Sequence, residues 1–194
     1  MRVAFKVIAP ALLALAIASP AAARDWNVRA GVGAVNFSGA AGLHDGSSVF
    51  LGADTPVAPW LFAGAEASSR EFTQGAFVTI PEMRAFANRS YDVSLAATLR
   101  VQPPVRRGFA PFALAEVGPG RTQWGDVHHE DLGFGYPNSV TRGSADWGVR
   151  SALGVGLRGA LARPLPDFEV SVRRSWLSGN REQGFVEPRV AVAW

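Results

Sequence analysis

The sequence predicts an all-β protein: an eight-stranded antiparallel up-and-down transmembrane β-barrel spanning residues 24–194, preceded by a signal peptide at residues 1–23. Three observations predict it. The chain opens with the basic residues Arg2 and Lys6, an apolar run from Val7 to Ile17, and the small-residue site Ala21-x-Ala23 before Arg24, the layout of a secretory leader. That run is short for an uncleaved membrane anchor. Eight later segments then alternate apolar and polar residues at period two, the mark of a strand with two different faces. A helical period of 3.6 would scatter those apolar sets around the axis. Finally, the last ten residues place Val186, Pro188, Val190, Val192 and Trp194 on one parity, and Phe185, Glu187 and Arg189 on the other.

Composition narrows the class. The 194 residues suit one domain, and no cysteine is present, so disulfides and thiolate metal sites are excluded. Export without cysteine fits a bacterial envelope protein. Lys6, in the leader, is the lone lysine, and a formal charge of +3 with no basic run is too little for nucleic-acid binding.

The elements follow in order. Trp26 to Ala34 alternates Val28, Ala30 and Val32 with Asn27, Arg29, Gly31 and Gly33, and the polar stretch Ser38 to Ser47 reads as a loop. Strand two runs from Ser48 to Thr55, with Pro56 to Pro59 as a turn, and strand three from Leu61 to Phe72. The connection Thr73 to Arg89 carries Phe77, Val78, Ile80 and Phe86 and is expected to fold onto the rim. Strand four is the cleanest: Tyr91, Val93, Leu95, Ala97, Leu99 and Val101 against Asp92, Ser94, Ala96, Thr98, Arg100 and Gln102. Its length suits a tilted membrane strand of roughly 9–11 residues. After the turn Pro103 to Gly108, strand five spans Phe109 to Trp124, and Gly125 to Ser144 reads as the longest polar connection. Strand six covers Trp147 to Arg158, strand seven Phe168 to Leu177, and strand eight the closing segment. Longer and shorter connections alternate, as they do when short turns face the periplasm and long loops face outward.

If the apolar parity faces lipid, the other parity fills the lumen. It contributes an expected charge network of Arg29, Glu66, Arg70, Asp92, Arg100, Glu116, Arg150, Arg158, Glu169, Arg173, Glu187 and Arg189, with Asn27 and Asp54 on the same parity. An eight-stranded lumen is just wide enough for side chains to fill, and buried charges must pair. The expectation is a plug of ion pairs; the alternative is a narrow ion path or a gate made by rearranging them. Inward glycines (Gly31, Gly33, Gly64, Gly154 and Gly156) leave room for long side chains to cross. Trp26 and Trp194 at one end, and Tyr91, Trp147 and Trp176 at the other, form an expected aromatic girdle. Pro111, Pro119 and Pro188 fall inside expected strands, where each removes a ladder donor. Arg174 falls on the lipid parity, and either snorkels to an interface or marks a bulge.

On the leader, the eight alternating segments, the charged interior and the terminal aromatic strand, the chain resembles the small eight-stranded outer-membrane barrels of the OmpA/OmpX type, the outer membrane protein beta-barrel domain group. The resemblance covers Arg24 to Trp194 and implies a bacterial outer-membrane location. It also implies outer-membrane lipid and lipopolysaccharide as partners, the barrel-assembly machinery reading the closing strand during biogenesis, and a monomer. Some barrels of this size modify lipid A, which makes an enzyme an alternative. His44, His128 and His129 all fall in expected loops, however, and no His-x-Ser pair occurs. Asp126 to Asp131 (Asp-Val-His-His-Glu-Asp) is the densest set of metal-ligand types, but its spacing matches no zinc pattern and it reads as a solvated loop tip. No catalytic residue, cofactor or metal is expected. External arginines (Arg84, Arg89, Arg121, Arg142 and Arg181) are candidates to meet lipopolysaccharide phosphates. The leading expectation is a non-enzymatic barrel serving envelope integrity or surface interaction through its loops. A porin-like channel comes next. A soluble lipocalin-like barrel would need the apolar parity turned inward.

Overall fold

Alternation along one strand decides which side chains share a face, and pairing decides which strands those faces meet. The computed structural model describes residues 26–37, 43–74, 77–80, 83–87, 89–104, 108–160, 165–177 and 183–194. The expected signal peptide, residues 1–23, and Arg181 lie outside them. Eight strands close into an antiparallel barrel: β1 (Asn27–Val35), β2 (Leu43–Ala58), β3 (Leu61–Gln74), β6 (Arg89–Val101), β7 (Gly108–Gln123), β10 (Ala145–Ala160), β11 (Asp167–Leu177) and β12 (Gln183–Ala193). Each pairs with its neighbour in this order, and β12 returns to β1 to close the ring.

Four further strands correct the loop expectations. β4 (Phe77–Ile80), β5 (Met83–Ala87), β8 (Val127–Asp131) and β9 (Ser139–Thr141) form a second sheet in the order β4-β5-β8-β9. It joins the two long connections, because Met83 pairs with Asp131 and Ala87 with Val127. The stretch 126–131 is therefore largely a strand in a framework, not a loose loop tip. Among the described residues no group of histidines and carboxylates could hold a metal ion. β2 likewise begins at Leu43, so His44 belongs to a strand and not to a loop. At its other end β2 runs through Pro56 to Ala58, and the turn is Pro59-Trp60. A register shift between Pro56 and Ala58 absorbs the proline on an exposed side of the strand.

The prolines inside strands have a geometric account. Pro111, Pro119 and Pro188 all face outward and are exposed. At the closing seam, Gly33 pairs with Arg189, and Asn36 bridges Val186 with reciprocal N–H to O bonds of 2.8 Å. The rung between them would need an N–H from Pro188 toward Ala34, and it is the one that drops out. Pro119 leaves a similar gap: the β6–β7 ladder passes from Ser94–Gly120 to Ala97–Val117 with no pair between. Arg174 sits in an unbroken register on both sides, opposite Leu153 and Val186, so no bulge turns it inward.

Burial follows parity. The inward set holds arginines, carboxylates, serines and a few aromatics; the outward set is Val, Leu, Ala and aromatic residues. Outward-facing Val32, Leu95, Val117, Leu153, Val155 and Val190 are each more than half exposed. At the loop end of the lumen, Val35, Phe37, Phe72, Trp124 and Phe185 pack into an apolar cap. Phe37 lies 5.1 Å from Phe72 and 5.2 Å from Phe185, centroid to centroid, and Trp124 meets Phe72 edge-on at 5.9 Å.

Candidate functional site

The lumen is where this chain concentrates its chemistry. An inward arginine on one strand reaches carboxylates on strands across the barrel, because alternation aims all of them at one axis and the small diameter brings them within reach. The twelve residues expected as a charge network are all brought into one continuous set of contacts. Asp54 and Asp167 join them, giving seven arginines and seven carboxylates among the described residues. The charges therefore cancel inside the wall.

The set begins at the turn end. Arg158 Nη2 lies 2.8 Å from Asp167, and Arg158 Nη1 lies 3.7 Å from Glu169 Oε1. Arg100 bridges Glu169 at 2.6 Å and Asp54 at 3.4 Å. Arg29, fully buried, holds Asp54 at 3.2 Å and reaches Glu169 at 3.8 Å and Glu66 at 4.0 Å. Glu66 is the hub at mid-lumen. Arg173 donates to both its oxygens, at 2.9 and 3.2 Å, and Arg189 donates to Oε1. Arg173 also pairs with Glu116. Arg189 carries the chain upward to Glu187 through two contacts of 2.8 and 3.0 Å. Glu187 takes Arg70 Nε at 3.2 Å, Arg70 Nη1 reaches Asp92 at 3.1 Å, and Arg150 Nε closes on Asp92 at 2.8 Å. Thr122 and Ser94 complete this upper group, with Thr122 donating to Asp92 and Ser94 accepting from Arg70, each at 3.1 Å.

Aromatic rings seat the guanidinium planes, and this was not anticipated. Phe50 lies under Arg189 at 4.3 Å and Arg173 at 5.4 Å; Phe62 and Phe112 flank Arg100; Phe185 faces Arg70 at 5.4 Å. The signal that would have found two of these needs register. Gly31 pairs with Phe50 and Gly156 with Phe112, so each inward glycine makes the space for an inward ring. A Cβ at Gly31 would lie 2.6 Å from Phe50 Cζ, and one at Gly154 2.8 Å from Arg173 Cγ. Between the middle and upper groups lies a narrow gap of about 10 Å³, lined by Ser68, Ser94, Ser175, Glu116, Arg70 and Arg150 among others.

The five expected girdle aromatics lie on the outer surface at the two ends of the barrel. Trp26, Trp147, Trp176 and Trp194 are exposed, Trp147 by 71%, and Tyr91 is half-buried. Trp60, Phe109 and Phe168 also lie at the turn end, the last two edge-on at 5.8 Å across the Gly159 position.

Beyond the lumen, the hairpin between β8 and β9 presents Leu132, Phe134 and Tyr136 to solvent. Asp131 braces it, accepting from Phe134 N at 3.0 Å and Gly135 N at 2.7 Å, while Asn138 Oδ1 accepts from Asp131 N at 2.8 Å. Desolvation opposes the charge on Asp131, but these backbone donors outweigh it and hold the carboxyl below its ordinary range. Gly133 and Gly135 supply the left-handed turns that the tip needs, at φ of 102° and 88°. His129 Nε2 lies 3.3 Å from Thr141 Oγ1 on this sheet.

No family model and no curated protein matches this sequence. Solved structures do. The chain is similar to Neisserial surface protein A (NspA), with a TM-score of 0.52 and 14% identity over 87% of this chain and 94% of that one. It is also similar to the N-terminal β-barrel domain of Pseudomonas aeruginosa OprF, at a TM-score of 0.46 and 13% identity over 88% and 98% of the two chains. A third likeness is to the outer membrane enzyme PagL, at 0.45 and 15% over 86% and 97%. At such identities the likeness speaks to the fold, and the fold of this chain is that of the small eight-stranded outer-membrane β-barrels.

Proposed function

We propose that the protein is a non-enzymatic bacterial outer-membrane barrel with a sealed lumen, serving the envelope through the sheet and hairpin it raises at its loop end. The observation that carries this is the balanced network of seven arginines and seven carboxylates running unbroken from Arg158 to Arg150. A permeant ion would have to displace those pairs one after another, each in a site that holds little water. The braced hairpin, with Leu132, Phe134 and Tyr136 exposed, is the surface best suited to an interaction, because its apolar side chains are preorganised. Membrane lipid and lipopolysaccharide around the wall, and the barrel-assembly machinery during biogenesis, are the proposed partners. A monomer is part of the proposal, because the closed ring leaves no unpaired strand edge for a second copy to extend.

Planar-bilayer recording tests the seal. The purified protein is expected to give no steady conductance, and resolved unitary currents would overturn the plug in favour of a channel. The observation on the side of that second reading is the small hydroxyl-lined gap beside Glu116, which at about 10 Å³ is at the lower limit of room for a single water. Location has its own test in the wall. Leu95 is 59% exposed at the middle of β6. An arginine there is expected to destabilise a bilayer-embedded barrel by about 2–4 kcal/mol, whereas a water-facing site would shift by less than about 0.5 kcal/mol. Denaturant unfolding of L95R from vesicles, followed by tryptophan fluorescence, separates the two.

A further inference from the structure

Every arginine in the lumen has a carboxylate within 4.0 Å. Two arginines on the outside of the barrel wall do not. Arg121 and Arg174 are exposed, face outward, and make no ion pair with any described residue. Their rows are otherwise apolar: Arg121 pairs with Val93 and Trp147, and Arg174 with Leu153 and Val186. An unneutralised guanidinium in such a row is costly at mid-bilayer and nearly free at the interface.

Both side chains lie beside a tryptophan at the loop end. The Arg121 guanidinium lies over Trp147, 6.0 Å from the ring centroid. Arg174 extends two pairs toward the loops, to the level where Gly184 pairs with Trp176. A Cβ at Gly184 would lie 3.4 Å from Arg174 Nη2 and 3.5 Å from Trp176 Cδ1, so the arginine head and the indole lie side by side at this position. At the turn end, where Trp26, Trp60, Phe109, Phe168 and Trp194 are, no arginine meets a girdle ring among the described residues. The two sites thus share an end, a chemistry and an unsatisfied positive charge.

We propose that Arg121 with Trp147, and Arg174 with Trp176, form two wall sites for the phosphate groups of anionic lipids in the leaflet at the loop end. The proposal rests on the membrane reading above. Each tryptophan marks headgroup depth for its arginine, the Trp147 ring covers part of the Arg121 guanidinium, and the open N–H edge offers the fork geometry that a phosphate accepts in pairs.

Tryptophan quenching tests it directly. The protein is folded into phosphatidylcholine vesicles doped, at equal mole fraction, with brominated phosphatidylcholine or brominated phosphatidic acid. The phosphatidic acid should bind the quenchable sites more tightly by about fivefold per arginine, the scale of one basic side chain beside an anionic surface. The double variant R121Q/R174Q should bring the ratio to about one, and each single variant should remove one step. R121K/R174K, which keeps the charge but loses the fork, should retain part of the preference and guards against a folding effect. A ratio unchanged in R121Q/R174Q, or a preference erased by millimolar inorganic phosphate, would overturn the lipid sites while leaving the membrane reading intact. Absence of quenching by brominated phosphatidylcholine would overturn the membrane reading and both sites with it.

Discussion

Glu66→Gln is expected to destabilise the folded barrel by roughly 3–5 kcal/mol, the cost of removing one partner from a buried ion-pair set. Glu66 is buried, and three guanidiniums converge on it: Arg173 at 2.9 Å, Arg189 in a direct hydrogen bond, and Arg29 at 4.0 Å. Glutamine keeps the volume and one acceptor, but its amide N–H₂ points donors at donors. The lumen also gains a net positive charge at a buried position, where screening is weak. Each arginine keeps at least one other carboxylate (Glu116 for Arg173, Glu187 for Arg189, Asp54 and Glu169 for Arg29), which argues for the lower part of the range. Urea titration of the refolded protein, read by tryptophan fluorescence, measures the loss. The double variant E66Q/R173M supplies the control. If the charges act as one network, its loss will fall short of the sum of the single losses by about 1–3 kcal/mol. Simple additivity would mean that Glu66 and Arg173 are not energetically coupled.

How much of this was legible before any coordinates can be argued from particular residues. Parity alone sorts Arg100 from Leu99 and Glu187 from Val186, because a strand has only two faces and a membrane barrel assigns one to lipid. The membership of the lumen set needs nothing more. Its wiring does, because Arg173 meets Glu66 and Glu116 across the barrel, and those partners follow from register and shear, which alternation does not encode. The same limit hid the placement of Phe50 beneath Arg189, since the matching glycine, Gly31, lies on another strand. Asp167 falls at the first position of its strand, where turn and strand look alike in sequence. The loop sheet was the largest omission. Its strands are three to five residues long, and β5 finds β8 about forty positions away, so neither segment shows enough alternation to be read alone. Pro56 misled in the opposite direction: a proline reads as a breaker, yet an exposed edge with a register shift accommodates it.

Phe185→Ala carries the other large expectation. Phe185 is 1% exposed, and its ring lies 5.2 Å from Phe37 within the cap that also holds Val35, Phe72 and Trp124. Its opposite side faces the Arg70 guanidinium at 5.4 Å, so the ring is the boundary between the apolar cap and the upper ion pairs. Truncation leaves a cavity that the neighbours cannot fill, because Trp124 is tied through its indole N–H to Asp146 at 2.8 Å. Buried Phe→Ala changes cost about 3–5 kcal/mol, and the lost face of Arg70 adds to that. The conductance should nevertheless stay at zero, since Arg70, Glu187, Asp92 and Arg150 remain paired beneath the gap. These two readouts separate stability from sealing. A lowered unfolding midpoint with a silent bilayer supports a lumen sealed by charge and capped by packing. A silent bilayer with an unchanged midpoint would show that the cap is not packed as described. Open currents in F185A, against a silent wild type, would move the seal from the ion pairs to the aromatic cap.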